Sequence, residues 1–326
     1  MLTMKEVKLL LPKGSWTVSL DLKDGFWHVP IAPSFRRYLG FTYKGQDWQF
    51  RALPFGLNIA PRIFTKVVSH VVKRLSEQGI WCLPYLDDLL IIARSKEACL
   101  LHCQLTMKLL TSLGWIINLK KSRLIPGQTF EWLGVQFDLR QHTAQSPRDK
   151  LESVCSIVSN LIVSNTCSIR EVMKLQGIIN WIGQVHPSVR TLMSSTRYII
   201  RCFKGSQLDS HITLDRFMKL SLCKWFCLRP IPQVLGNPSP DLTIMSDASL
   251  RGWGFQINGF SFQGSFDESM SYSINVLELI TVWFALLTIQ SQGNRIQILC
   301  DNSTAVGVVK KGTSFFPMLS AIAQLI

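Results

Sequence analysis

The alternation of apolar and polar residues near the start of the chain predicts a β-strand followed by a helix. Trp16, Val18 and Leu20 alternate with polar residues and indicate a strand that ends near Asp21. In the later segment APRIFTKVVSHVVKRL, apolar residues recur at helical spacing, and Pro61 suits a first helical turn. We therefore expect a helix after the first strand region.

Two adjacent acids interrupt the next apolar segment, LPYLDDLLIIA. Asp87 and Asp88 lie between two apolar arms, so we expect a β-hairpin whose turn holds both. Neighbouring carboxylates in an apolar segment repel each other and resist desolvation, so a cation or a tight turn must compensate them. From the acid pair alone, a surface turn and a metal site are equally open.

The middle of the chain has mainly helical patterns. Leucines at 101, 105, 109 and 113 fit one helix, and FEWLGVQFD then resembles a short hairpin. From about 148 to 204 the pattern is helical, and REVMKLQGIINWIGQV is its clearest amphipathic segment. The segment RPIPQVLGNPSPD, with four prolines, indicates a linker. After it, the patterns predict strand, strand, helix and strand, which is typical of a mixed α/β domain.

Composition indicates a globular chain with a polyanionic partner. The 326 residues are 47% hydrophobic, which is ample for packed cores in two or three domains. The formal charge of +14 favours nucleic acid as the partner, with a membrane surface second. Nine cysteines without a C-x-x-C pair are interpreted as reduced, mostly buried thiols rather than a zinc site.

Targeting signals are absent from the sequence as given. The longest uncharged apolar stretch, Leu279–Ile289, is too short to cross a bilayer, which needs about 18 to 20 residues. Lysines 5, 8 and 13 interrupt any apolar signal core. We therefore expect an intracellular protein of the cytoplasm, the nucleus or both, not secreted and with no membrane partner.

Asp21, Asp87 and Asp88 form the first candidate site. An acid at the end of one strand and two in a hairpin converge if these strands pair. Three carboxylates suit Mg²⁺ or Mn²⁺, and two such ions about 3.5 to 4 Å apart can clamp the attacking and leaving oxygens of phosphoryl transfer. The alternative is that Asp87 and Asp88 are turn acids and Asp21 a helix cap.

Five segments decide between these alternatives. SLDLKDGFWHVPI, RALPFGLNIAPRIFTK, YLDDLL, NLKKS and FEWLG follow one another as in the palm of reverse transcriptases, and residues 15 to 138 resemble that family. The resemblance implies that Asp21, Asp87 and Asp88 are the metal-binding catalytic triad. It also implies that Phe26 is the aromatic steric gate, whose ring excludes a 2′-hydroxyl and so selects deoxynucleotides.

The same resemblance implies contacts to nucleotide and primer. LPFGL matches the segment beside the incoming nucleotide and template, although some members have Gln where this chain has Phe55. Lys120 or Lys121 matches a lysine that can serve as general acid for the leaving pyrophosphate. FEWLG matches the primer grip. The implied nucleotide- and primer-binding residues are Phe26, Pro54, Phe55, Gly56, Tyr85, Lys120, Lys121, Trp132 and Gly134.

Other polar residues near these motifs are not expected to be ligands. Asp24 lies three positions after Asp21, and the corresponding position in the family is structural or variable. His28, His70 and His186 are isolated in sequence, so they are interpreted as packed or surface side chains.

A second set of acids lies beyond the proline-rich segment. Asp247 closes the strand LTIMSD, Glu278 lies near the start of an apolar helix, and Asp301 ends the strand IQILCD. Such acids can form a second two-metal site, although Glu278 alone fits a first-turn residue favoured by the helix dipole. MSDASLRGWG, NVLELITVWFAL and ILCDNSTAVGVV resemble the ribonuclease H domain, which cuts the RNA strand of RNA:DNA hybrids.

Together the resemblances imply a retroelement polyprotein, most like DIRS-type retrotransposons, with gypsy-type elements as the near alternative. The expected fold is a multidomain α+β and α/β chain. Its predicted parts are a palm at 1–140, a helical thumb and connection at 141–228, a linker at 229–241 and a ribonuclease H-like domain at 242–326. Implied cofactors are two Mg²⁺ or Mn²⁺ ions per site, and implied partners are RNA template, DNA primer, RNA:DNA hybrid and dNTPs.

Two departures from the family lower the expected activity. Only about 20 residues precede Asp21, where the family has its fingers, and no acid follows Asp301, where ribonuclease H domains have a fourth ligand. The sequence therefore predicts a partial copy with reduced activity. The alternative is a non-catalytic nucleic-acid-binding remnant. A group II intron or telomerase-like enzyme is disfavoured because those usually lack this ribonuclease H arrangement.

Overall fold

A computed structural model describes residues 2–186, 189, 193–203, 207–227, 232–236, 239–267, 272–289, 295–311 and 317–323. Its helices are α1 (Met4–Leu10), α2 (Pro33–Arg36), α3 (Ala60–Glu77), α4 (Lys96–Ser112), α5 (Arg148–Ser164), α6 (Ile169–Val185), α7 (Met193–Cys202), α8 (Arg216–Cys227), α9 (Ile274–Leu287), α10 (Ser303–Lys311) and α11 (Pro317–Ala323), with a 3₁₀ helix at Gly25–His28. Of the predicted linker 229–241, residues 229–231, 237 and 238 lie outside the described residues.

The strands fall into several separate sheets. They are β1 (Trp16–Asp21), β2 (Gly40–Tyr43), β3 (Gln46–Gln49), β4 (Trp81–Tyr85), β5 (Asp88–Ala93), β6 (Arg123–Gly127), β7 (Thr129–Trp132), β8 (Val135–Asp138), β9 (Thr143–Gln145), β10 (Thr166–Ser168), β11 (His211–Thr213), β12 (Gln233–Val234), β13 (Leu242–Ala248), β14 (Gly252–Ile257), β15 (Phe260–Ser265) and β16 (Ile296–Leu299). The chain divides into two compact units, 1–144 with 234–236, and 145–233 with 237–326.

The first unit is built on a four-stranded sheet of order β4-β5-β1-β6. β1 lies between β5 and β6 and is antiparallel to both. Leu89 to Ala93 of β5 are all buried, because this strand is central and is covered on both faces. The predicted strand ending at Asp21 and the predicted hairpin around residue 87 are both confirmed.

Helices α3 and α4 supply the rest of this core. Phe64, Val68 and Leu75 of α3 are buried against the sheet, which confirms the predicted helix and its apolar face. The leucine spacing correctly predicted α4, but Leu101 and Leu113 are 54% and 55% exposed. The buried side of α4 consists of Cys99, Cys103, Thr106 and Leu110. Local spacing therefore predicted the helix, but tertiary packing buried a face next to the one that the leucines mark.

Two smaller strand assemblies complete the first unit. β7 and β8 form the predicted short hairpin within a sheet of order β12-β9-β8-β7, and Phe130 stacks on Phe137 with ring centroids 5.3 Å apart. Its two-residue turn, Leu133 and Gly134, has φ values of 51° and 74°, a left-handed geometry that favours glycine. β2 and β3 form a hairpin whose residues are all exposed.

The second unit contains a helical part and a mixed-sheet part. α5 to α8 share one apolar core, and Ser168 and Glu171 form a capping box that begins α6. These helices confirm the predicted helical pattern. The sheet β15-β14-β13-β16 is antiparallel except for β13 and β16, which run parallel, and α9 packs against β13 and β14. The helix and the strand after it occur in the predicted order, but three strands precede the helix instead of two, because LTIMSDASLRGWGFQI folds back on itself as β13 and β14.

None of the described helices is both long enough and apolar enough to cross a lipid bilayer.

Candidate catalytic sites

Strand register brings the first set of acids together. Asp21, the last residue of β1, lies directly opposite Asp88, the first residue of β5. Asp87 lies in the turn between β4 and β5, and its carbonyl accepts a 2.9 Å hydrogen bond from the backbone N–H of Leu22. The prediction that the turn holds both acids is wrong for Asp88, because Asp88 already pairs with Tyr85 across the hairpin.

Burial and mutual repulsion raise the pKa values of two of these acids. Desolvation, with the charges of Asp87 and Asp21, raises the pKa of Asp88 to about 6, while the ammonium of Lys121 opposes this rise. The pKa of Asp21 is also raised, first by desolvation and then by Asp87, against the opposing effects of Lys121 and Asn118. A divalent cation would relieve this repulsion, and carboxylate oxygens are donors that suit Mg²⁺ or Mn²⁺, although the ligand atoms of these three acids do not all lie within 4.8 Å of one another.

The segment NLKKS positions the end of β1. The backbone N–H of Asn118 donates to the carbonyl of Asp21 at 2.8 Å. The Oγ of Ser122 accepts from the N–H of Asp21 at 3.0 Å and donates to the carbonyl of Asn118 at 2.8 Å. Sequence reasoning used this segment only for its lysines and missed these two residues, whose contacts depend on tertiary structure.

The two lysines differ in their relation to the acids. Both Lys120 and Lys121 are exposed. The charge of Lys121 favours the ionised forms of Asp21 and Asp88, so its ammonium lies on the side of the triad. We therefore favour Lys121 over Lys120 for the predicted contact to a triphosphate.

Phe26 belongs to an aromatic cluster beside the triad. It lies in the 3₁₀ helix, and its ring centroid is 5.1 Å from the centroids of both Phe55 and Phe64. Phe55 is 63% exposed, whereas Pro54 is buried, and Gly56 adopts a φ of 87° that favours glycine. The segment LPFGL is thereby fixed next to the predicted steric gate.

The isolated histidines make ordinary structural contacts. The Nε2 of His28 lies 3.0 Å from the carbonyl of Lys23, and its ring packs on Trp115 with centroids 4.9 Å apart. The Nδ1 of His70 lies 2.8 Å from the carbonyl of Lys66 in the preceding turn of α3. Buried His186 accepts a 3.0 Å hydrogen bond from the N–H of Ser146 at Nε2. Packing and helix contacts account for the three rings.

Gly25 is required where the aromatic cluster meets the acid turn. A Cβ at this position would lie 2.8 Å from Cζ of Phe64 and 3.4 Å from Cβ of Asp87. We therefore expect Gly25→Ala to destabilise the fold by about 1 to 3 kcal/mol through overpacking. Chemical unfolding would measure this loss.

The matched control for Gly25→Ala is the double variant Gly25→Ala/Phe64→Leu. Leucine at position 64 lacks the Cζ atom that would lie close to the new Cβ. Adding Gly25→Ala to a Phe64→Leu chain should therefore cost less stability than adding Gly25→Ala to the native chain. Equal losses in the two backgrounds would contradict steric conflict with Phe64.

The remaining predicted nucleic-acid contacts lie on the β4–β5 and β7–β8 hairpins. Tyr85 is half-buried and is paired with Asp88 at the end of the β4–β5 hairpin. Trp132 is buried, and Gly134 occupies the left-handed turn of the β7–β8 hairpin. That hairpin belongs to a different sheet from the acid triad, so its role as a primer grip stays a prediction.

The second set of acids surrounds the start of α9. Glu278 is only 3% exposed, and its carboxylate accepts hydrogen bonds from the backbone N–H of Ala248 and from Sγ of Cys300, the latter at 3.5 Å. Burial raises the pKa of Glu278, and the charges of Asp247 and Asp301 raise it further, against these two hydrogen bonds. The carboxylates of Glu278 and Asp301 lie close enough to share a divalent cation, whereas Asp247 is not part of that close group and acts on Glu278 through its charge.

Two details of this second site differ from the sequence prediction. β16 ends at Leu299, so Asp301 lies beyond the strand, just before α10. The ligand atoms of Glu278, Cys300 and Asp301 all lie within 4.8 Å of one another. Sequence reasoning missed Cys300, although its position next to Asp301 was the available signal.

Comparison with known proteins identifies the part of the chain that carries the first site. Residues 3–137 match the family described as reverse transcriptase (RNA-dependent DNA polymerase). This part of the chain is a reverse transcriptase domain. The match includes the β2–β3 and β4–β5 hairpins and all three acids of the first set, and it ends within β8, before the helical block.

Relatives of the reverse transcriptase domain occur in viral polyproteins. Over 270 residues, 80% of this chain, the sequence is 29% identical to the enzymatic polyprotein of figwort mosaic virus (strain DxS), of which it covers 37%. Over 179 residues, 55% of this chain, it is 26% identical to the genome polyprotein of Petunia vein clearing virus (isolate Shepherd), of which it covers 8%. The chain therefore spans well under half the length of these relatives.

Solved structures confirm the predicted fold class. The foamy viral protease-reverse transcriptase in complex with RNA/DNA hybrid matches 99% of this chain and 44% of its own, with a TM-score of 0.61 and 17% identity. The same protein in complex with dsDNA matches 93% of this chain and 71% of its own, with a TM-score of 0.57 and 16% identity. The fold is thus that of a reverse transcriptase with palm and thumb, of mixed α/β content.

Proposed function

We propose that the chain is an RNA-directed DNA polymerase that also cleaves the RNA strand of RNA:DNA hybrids. The observation that carries the proposal is the register that sets Asp21 opposite Asp88, with Asp87 in the adjoining turn, inside a reverse transcriptase domain. Mutual repulsion among these acids, together with a net charge of +14, supports a site for cations and nucleotide phosphates.

In the polymerase reaction, the residues of the chain bind, orient and select. Two divalent cations, when bound, would stabilise the attacking and leaving oxygens of phosphoryl transfer. Asp21, Asp87 and Asp88 would hold them, and the ammonium of Lys121 would donate a proton to the leaving pyrophosphate. The ring of Phe26 would exclude a 2′-hydroxyl. The substrates would be dNTPs, an RNA template and a DNA primer.

For hybrid cleavage, we assign Asp247, Glu278 and Asp301 to the second site. Support comes from the buried carboxyl of Glu278 and from the repulsion that Asp247 and Asp301 exert on it. Carboxylates in this arrangement would hold two Mg²⁺ or Mn²⁺ ions, which supply an activated water when bound. The substrate would be an RNA:DNA hybrid.

The biological source we infer is a retrotransposon of the DIRS type, with a gypsy-type element as the alternative. This inference rests on the segments LDLKDGFWHVPI, LPFGLNIAPRIFTK and SDASLRGWG. A polymerase of such an element would act inside the cell, in the cytoplasm, the nucleus or both.

Primer extension on an RNA template tests the polymerase. A labelled DNA primer should grow by template-directed dNTP addition in the presence of Mg²⁺ or Mn²⁺ and stop on addition of EDTA. Binding of the primer-template should weaken as salt rises, because phosphate contacts release counterions. Salt-sensitive binding without any nucleotide addition by the native chain would favour a non-catalytic nucleic-acid-binding remnant.

Substitution of Phe26 tests sugar selection. We expect Phe26→Ala to raise the use of rNTPs relative to dNTPs roughly 10- to 100-fold, because the clash with the 2′-hydroxyl is removed. Competing single-nucleotide incorporation would measure this ratio. Trp27→Ala, in the same 3₁₀ helix, is the matched control and should leave the ratio unchanged. A Phe26→Ala enzyme that extends primers with native sugar selection would refute the steric-gate assignment.

A further inference from the structure

We propose that Glu278, Cys300 and Asp301 form a binding site for a thiophilic divalent cation, Zn²⁺ or Cd²⁺, in addition to any role of the two acids with Mg²⁺. In the described part of the chain, this is the one group of three or more His, Cys, Asp or Glu side chains whose ligand atoms all lie within 4.8 Å of one another. It combines one sulfur donor with two carboxylates.

The geometry needs little adjustment to close around one ion. Tetrahedral ligands at Zn–S and Zn–O distances of about 2.3 and 2.0 to 2.2 Å lie roughly 3.3 to 3.7 Å from one another. The Sγ of Cys300 and Oε2 of Glu278 are already 3.5 Å apart. Asp301 is exposed and follows Cys300 directly, so rotation of its side chain can bring an oxygen to the same point.

The donor chemistry distinguishes this site from an ordinary magnesium site. Mg²⁺ prefers oxygen donors and gains little from a thiol, whereas Zn²⁺ and Cd²⁺ bind thiolate sulfur strongly. Three protein ligands and an open fourth position are typical of an accessible zinc site. When the metal–sulfur bond forms, the Cys300 thiol releases its proton to solvent, and the metal replaces that proton on sulfur.

The surroundings of Glu278 support cation binding at this point. Its carboxyl is almost fully buried, and Asp247 and Asp301 both add negative potential around it. The backbone N–H of Ala248 also donates to the carboxylate and so orients it, which is a typical supporting contact for a metal ligand. A cation therefore meets one pre-oriented oxygen, one adjacent sulfur and a locally acidic environment.

Metal binding as proposed does not require hydrolase activity. Inhibition of hybrid cleavage by the bound metal does rest on the proposed function. Zn²⁺ or Cd²⁺ held by Glu278 and Asp301 would displace Mg²⁺ from those acids and so inhibit hybrid cleavage. Binding is therefore measured on the full chain without nucleic acid, so that failure of the hydrolase proposal leaves the metal proposal separately testable.

Cadmium titration is the first test. The reduced chain is titrated with Cd²⁺ while the ultraviolet absorption of the cadmium–thiolate bond is followed, and Zn²⁺ is then added as competitor. We expect Cys300→Ser, Glu278→Gln and Asp301→Asn each to weaken the tightest Cd²⁺ site at least about tenfold. Cys202→Ser, at an exposed cysteine of α7, is the matched control and should leave that site unchanged. Native affinity in Cys300→Ser would overturn the proposal.

Alkylation of the native chain provides a test that needs no variant. Iodoacetamide labelling, quantified for each cysteine by mass spectrometry, should slow at least about tenfold at Cys300 when Zn²⁺ or Cd²⁺ is present, because a metal-bound thiolate is shielded. Mg²⁺ should not slow it, and Cys202 should react equally in all conditions. Unchanged labelling of Cys300 in the presence of Zn²⁺ and Cd²⁺ would also overturn the proposal.

Discussion

Asp88→Asn is expected to reduce primer extension at least about 100-fold, because it removes a carboxylate from a site that must hold cations against the phosphates. Asn keeps the size and the strand pairing with Asp21 and Tyr85, so the palm should remain folded. Single-nucleotide incorporation under single-turnover conditions measures the chemical step. Hybrid cleavage by the same variant is the control, since Asp88 lies outside the second site and its loss should leave cleavage within about twofold of native.

The same substitution has an opposite effect on the metal-free fold. The folded-state pKa of Asp88, about 6, lies above its ordinary value of 3.8, so the folded chain binds this proton more tightly than the unfolded chain does. Stability contributed by this group is therefore full below about pH 4 and is lost as pH rises through about 6. At pH 7 without metal, Asp88→Asn should unfold at a higher temperature than the native chain.

Thermal unfolding in EDTA between pH 4 and 7 measures this linkage. The stability difference between Asp88→Asn and the native chain should shrink as pH falls through about 6, because protonation makes native Asp88 neutral too. Added Mg²⁺ should stabilise the native chain more than the variant, since a ligand that binds the folded state raises its stability. A variant less stable than native at pH 7 in EDTA would show that burial and repulsion of the Asp88 charge do not dominate at this position.

Glu278→Gln is expected to reduce hybrid cleavage at least about 100-fold, because it neutralises the buried carboxylate at the centre of the second site. Glutamine has nearly the same shape and can still accept from the N–H of Ala248. Cleavage of a uniformly labelled RNA strand annealed to DNA measures the effect. Primer extension should stay within about twofold of native, the reverse of the pattern expected for Asp88→Asn.

Loss of primer extension alone in Asp88→Asn, together with loss of hybrid cleavage alone in Glu278→Gln, would show that one chain has two separate active sites. If both activities fell together in either variant, the simplest explanation would be loss of folding or of shared nucleic-acid binding rather than loss of a metal ligand. Affinity for an RNA:DNA hybrid, measured for both variants at one salt concentration, distinguishes these cases. Unimpaired hybrid cleavage by Glu278→Gln would defeat the assignment of the second site.

Much of the fold was predictable because its signals are local. Alternation defined β1, helical spacing defined α3 and α4, and an acid pair between apolar arms defined the β4–β5 hairpin. The helix and most of the strands after the proline-rich segment likewise followed from patterns a few residues long, but the division of the first predicted strand into β13 and β14 did not. The ordered motifs identified the reverse transcriptase domain before any geometry was known.

Other features depended on contacts between distant segments, which local patterns do not encode. The exposed leucines of α4 show this, because the sheet buried Cys99 and Cys103 instead. Likewise, Ser122 became a partner of Asp21 only through a hydrogen bond that spans about a hundred residues of sequence. Side-chain spacing gives the apolar face of a helix only approximately, and packing decides which edge of that face is covered.

The sequence by itself determined which residues we propose for the chemistry, namely three acids in palm motifs and three more beyond the proline-rich segment, and it determined the net charge of +14. Tertiary structure decided how these acids are arranged. Antiparallel register set Asp88 opposite Asp21 and left Asp87 in the turn, and the meeting of β16 with α9 brought Cys300 to Glu278. The physical reason is that pKa values and metal preference depend on distances between donors, and folding alone fixes those distances.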